Sequence, residues 1–170
     1  MKERNFVEFR KEGEYTISMD FSTSNLVLEY GPIFLKLLLA MLLGLALGLE
    51  RTFAGKMAGM RTYALMSLGS CVLIIISDAI ALRYVSLNFD PLRMAAGIVM
   101  GVGFLCGGLI VFRHEHLVGM TTAAGLWIAV AIGFAVGYGF YALAILTTLF
   151  TLFILSFLWK VEERFEKIGE

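Results

Sequence analysis

The sequence predicts an all-α membrane protein: a bundle of about five transmembrane helices with glycine-rich packing faces. Three observations carry this. Of 170 residues, 59% are hydrophobic and only 16% charged, whereas soluble domains lie near ~45–50% and ~25%. Between residues 31 and 159 the only acids are Glu50, Asp78, Asp90 and Glu115. From Gly119 to Trp159 there is no charged residue at all across 41 positions.

Residues 1–32 form a polar N-terminal tail with no apolar core of a signal peptide. Met19 is an alternative start, because the residues after it lead straight into the first apolar run. Five runs then come in succession, at about 33–49, 62–82, 93–112, 121–138 and 140–159. A bilayer core of ~30 Å needs roughly 20 apolar residues per helix, so the uncharged stretch is too long for one span and suits two. The turn between them falls at Gly137-Tyr138-Gly139, and Pro91 breaks the chain before the third run. Residues 160–170 form a short charged tail.

Lysine and arginine in short loops set orientation. Five spans put Arg51, Lys56 and Arg61, then Arg113, then Lys160, Arg164 and Lys167 on one side, which is expected to be cytoplasmic. The N-terminus is then outside, with Arg83 and Arg93 on the outer loop.

Helices in lipid approach closely through small residues, often spaced as GxxxG. The pairs here are Gly44/Gly48, Gly97/Gly101, Gly103/Gly107 and Gly133/Gly137. The third helix carries glycine on two faces and is expected to be central. The fifth, rich in Leu and Phe, is expected to face lipid. A homodimer through Gly44/Gly48 or Gly133/Gly137 is the expected assembly.

Polar residues gather around "LERTFAGKMAGMRT", residues 49–62. An acid at a membrane helix end is costly unless paired, and Glu50 has Arg51 and Arg61 as candidate bidentate partners. Gly55 and Gly59 allow a tight turn beneath such a pair. Thr62, Arg93 on the Gly97/Gly101 stripe, and Thr121 or Thr122 complete the candidate cluster, which reads either as a structural clamp or as a working polar site. Thr121 and Thr122 also read as N-caps of the fourth helix. Asp78 reads as an interfacial acid or as a ligand paired with Arg83 or Arg93. Glu50 and Asp78 are the candidate cation-interacting acids; magnesium takes oxygen ligands and keeps several waters.

The "RHEH" at 113–116 suits a wet loop better than a metal site, and Cys71 and Cys106 read as small buried hydrophobes. No Walker, HExxH or CxxC pattern occurs, so nothing supports catalysis. A formal net charge of zero gives no support to nucleic-acid binding.

The stretches "LLLAMLLGLALGLERTFAGKMAGMRTYALMSLGS", "RMAAGIVMGVGFLCGGLI" and "GMTTAAGLWIAVAIGFAVGYGFY" resemble the MgtC/SapB family of bacterial inner-membrane proteins. The resemblance covers roughly residues 33–141. It implies a multi-pass inner-membrane protein linked to magnesium limitation, and a partner such as the F-type ATP synthase, which some members are thought to restrain. Many relatives carry a soluble C-terminal domain, and this chain, stopping at Glu170, is expected to act without one. Gly97 stands where a glutamine is common, Val118 where an arginine is common, and "GFLCGG" replaces "GFLGAG". The leading expectation is a non-catalytic membrane regulator without a cofactor; the alternative is a transporter of magnesium or another small solute.

Overall fold

The computed structural model describes residues 23–83, 90–113 and 116–159. Residues 1–22 of the N-terminal tail, the His114–Glu115 pair and the charges after Trp159 lie outside the described residues, as does the Arg83 side chain. The helices are α1 (Thr23–Phe53), α2 (Met60–Arg83), α3 (Pro91–Leu109), α4 (Met120–Gly137) and α5 (Tyr141–Phe153). A π-helical turn, Ile154–Leu158, continues α5. Four helical stretches are long and apolar enough to cross a membrane: Tyr30–Phe53, Met60–Leu82, Met120–Gly137 and Tyr141–Leu158. Arg93–Leu109 is apolar but shorter; at ~1.5 Å per residue it reaches roughly 25 Å.

The second to fifth expected runs fall on α2 to α5, and the first helix starts ten residues before its expected run. It begins at Thr23 and carries Pro32 inside it. Strands were not expected. Val111–Arg113 pairs antiparallel with His116–Val118, in the register Val111↔Val118, Phe112↔Leu117 and Arg113↔His116. Two three-residue strands are too short for a period-2 pattern to stand out.

The most buried helix is α4, not α3: 11 of its 18 residues are buried, and it packs against all four other helices. Helix α2 packs between α1 and α4: its buried stripe, Tyr63, Ser67, Ser70, Ile74 and Ser77, recurs at helical spacing, and glycines of α1 and α4 close on it from two sides. A Cβ at Gly44 would lie 2.7 Å from the Tyr63 carbonyl and 2.8 Å from Ser67 Cβ; at Gly48 it would lie 2.6 Å from Met60 Cα. On α4, a Cβ at Gly133 would overlap Ser70 Oγ and the Ser67 carbonyl, and one at Gly137 would lie 2.8 Å from Ile74 Cγ2. These approaches let hydroxyls bridge helices: Ser67 donates to the Ala40 carbonyl at 2.8 Å and Ser70 to that of Val130 at 3.0 Å.

Two expectations are corrected by this packing. A Cβ at Gly97, Gly101, Gly103 or Gly107 would meet nothing within 4 Å, so α3 lies at the edge, turned inward only through residues such as Val102 and Cys106. The Gly44/Gly48 and Gly133/Gly137 faces expected for a dimer are filled by the chain's own α2. The fifth helix does lie outside, burying only Ala144 and Thr148, with Leu155 beyond it.

Candidate functional site

Helices α1, α3 and α5 run one way and α2 and α4 the other. One end of the bundle therefore gathers the end of α1, the start of α2, the hairpin, the start of α4 and the π turn. At that end the chain leaves α1 through Ala54–Gly59, with Gly55 at φ 64°, a conformation that suits glycine.

Glu50 and Arg51 form a bidentate pair. Arg51 Nη2 donates to Glu50 Oε1 at 2.6 Å, and Nε donates to Oε2. The Arg51 side chain is 2% exposed and that of Glu50 14%. Of the two partners expected for Glu50, the fold selects the neighbour in sequence, because Arg51 is turned into the protein while Arg61 is exposed. The guanidinium is the largest fully buried side chain described. A buried base is tolerated when its donors meet a carboxylate in this planar fork.

Thr52 locks the turn. Its hydroxyl donates to the Gly48 carbonyl at 2.9 Å and accepts from the Met60 amide at 3.1 Å. The second bond satisfies one of the amides left open at the start of α2. A Cβ at Gly59 would lie 2.5 Å from that same hydroxyl oxygen. Beside it Tyr63, fully buried, donates to the Thr122 carbonyl at 3.2 Å and so ties α2 to α4.

Other expected members are not brought together. Thr62 and Thr121 are exposed, and Thr122 is buried but contributes its backbone carbonyl. Neither threonine caps α4. The N-cap is Gly119 at φ 95°, with no side-chain cap bond, and a Cβ there would run into the Leu109 carbonyl. Arg93 opens α3 at the far end of the bundle, roughly 25 Å from the Glu50 level by helix length. Asp78 is exposed 15 residues beyond Tyr63 on α2, ~22 Å along the axis, so the two candidate cation acids of one chain cannot share an ion. Neither Asp78 nor Arg93 forms an ion pair with a described residue. Among the described residues no three His, Cys, Asp or Glu side chains come together.

Lys36 escaped the sequence reading. Its Nζ donates at 2.8 Å to the Gly137 carbonyl, placing a cation at the negative end of α4. The signal was present, since Lys36 is the only base between residues 31 and 50. The serine stripe of α2 was legible in the same way, as hydroxyls at helical spacing in an apolar segment. Cys106 is buried and lies 3.2 Å from the Ala123 carbonyl.

The sequence profile of the MgtC family matches residues 37–164, a stretch that holds most of the α1–α5 bundle and the whole Glu50–Arg51 turn. The chain belongs to the MgtC family. Similar members include the Escherichia coli K12 protein named "Putative magnesium transporter YhiD", 42% identical over 127 residues, 72% of this chain and 58% of that protein. Protein SapB of Bacillus subtilis is 39% identical over 136 residues, 77% of this chain and 59% of its own length. Protein MgtC of Salmonella typhimurium 14028s is 40% identical over 121 residues, 71% and 50%. The alignments thus span between half and three-fifths of these MgtC-family relatives. No solved structure matches the chain.

Proposed function

We propose that this multi-pass membrane protein is a non-catalytic regulator that adapts the cell to magnesium limitation by acting on another membrane protein. The observation that carries this reading is the closed Glu50–Arg51 pair. The acid best placed for a cation already shares its charge with a bidentate counter-ion that is 2% exposed, so the pair carries no net charge to hold a divalent ion. The second acid, Asp78, lies at the opposite end. Family membership supplies the link to magnesium, and the F-type ATP synthase is the partner to test first.

Transport is the second reading, favoured by the name of the YhiD relative. Proteoliposomes separate the two. The regulatory reading expects no saturable magnesium flux above empty vesicles, together with loss of growth at low magnesium when the gene is deleted. Saturable flux abolished by Asp78→Asn or Glu50→Gln would overturn it.

A further inference from the structure

α5 changes its winding before Trp159. Thr148 and Thr151 hydroxyls turn back onto the carbonyls of Ala144 and Thr147 at 2.8 and 2.7 Å, and the chain then widens into the π turn Ile154–Leu158. Such turns concentrate at functional sites. Ser156 of this turn and Trp159 just beyond it line an open groove with Glu50, Phe53 and Ala54 of the α1 end. Its volume, about 380 Å³, falls within the range of small-ligand sites.

The groove has a definite chemistry. A carboxylate offers about four acceptor positions, and Arg51 uses two of those on Glu50. Arg51 itself is buried while Glu50 keeps some exposure, so the groove meets the acid rather than the base. Ser156 adds a hydroxyl, and Trp159 adds an aromatic face of the kind that attracts cations. Phe53, 87% exposed, forms an apolar wall.

Depth narrows the ligand further. Phe53 ends one membrane span and Trp159 comes just after the end of another, the level at which tryptophan and lipid headgroups meet. We infer that this groove binds the ethanolamine headgroup of phosphatidylethanolamine, its primary ammonium held by Glu50 and Ser156 against Trp159. A trimethylammonium group has no N–H to give these acceptors, and a glycerol headgroup has no cation to set against Trp159. The site shares Glu50 with the transport reading, and Ser156→Phe, which leaves both acids in place, keeps the two outcomes distinct.

The test uses the full chain in native mass spectrometry, offered equal amounts of phosphatidylethanolamine, phosphatidylcholine and phosphatidylglycerol with matched acyl chains. Phosphatidylethanolamine adducts should be retained roughly tenfold over phosphatidylcholine, as a charge-assisted contact plus a cation–π contact would give. Ser156→Phe fills the groove without touching the ion pair, and it should erase the preference while leaving the melting temperature unchanged. Glu50→Gln should erase it too, but that variant also strips Arg51 of its partner, so Ser156→Phe decides. Equal retention of the lipids, or a preference that survives in Ser156→Phe, overturns the assignment. Displacement of the lipid by magnesium chloride but not by sodium chloride of equal ionic strength would give the groove to a divalent cation and also overturn it.

Discussion

Arg51 shows how one side chain can be legible as charge and illegible as position. The sequence offers Glu50 two bases, one adjacent and one eleven residues on, and nothing in their spacing ranks them. The rank comes from burial: Arg51 points into the bundle and Arg61 out. Removing only the acid strands a buried charge, at a cost of ~3–5 kcal/mol, whereas removing both charges costs less. Glu50→Gln should therefore lower the melting temperature in detergent more than the double variant Glu50→Gln/Arg51→Gln, while Arg61→Gln should leave it unchanged. A melting temperature for the double variant at or below that of Glu50→Gln would show that the pair is not what stabilises this turn.

At the scale of the helix, identical GxxxG spacings have opposite meanings. Gly133 is pressed onto Ser67 and Ser70 of α2, while Gly97 and Gly101 have open space where a side chain would begin. Alanine at Gly133 must push the helices apart, and overpacking of this kind costs ~1–3 kcal/mol. Alanine at Gly97 or Gly101 meets no such obstacle and gains up to ~1 kcal/mol of helix propensity. Thermal unfolding should separate the two: Gly133→Ala loses stability, and Gly97→Ala keeps or gains it. Destabilisation by Gly97→Ala would mean that a partner, rather than lipid, closes on α3. The spacing alone could not distinguish these cases, because GxxxG records that a helix can be approached and not which neighbour approaches.

For the whole molecule, five helices place the 54–59 turn and the 111–118 hairpin at one end of the bundle and the α4–α5 turn at the other. We propose, from the lysine and arginine distribution, that the first end faces the cytoplasm. A cysteine at Lys56, which is exposed, should react with a membrane-impermeant maleimide in inverted vesicles and not in intact cells. Labelling in intact cells would invert the topology. Background should be small, because Cys71 and Cys106 are both buried.

The number of helices, their apolar character, the turns at Gly55 and Gly139, the membrane class and the family resemblance could all be read from the residues in order. Each depends on a run of composition or on a local backbone demand, and neither needs a partner from elsewhere in the chain. Tertiary structure alone decided that α4 rather than α3 is central, that Arg51 rather than Arg61 answers Glu50, and that Thr52, at the end of α1, is the threonine whose hydroxyl meets an open amide at the start of α2. It also set Lys36 against the end of α4. These depend on which face of one helix meets which face of another, and in lipid that choice turns on ångström-scale backbone approach and interhelical hydrogen bonds rather than on hydrophobicity.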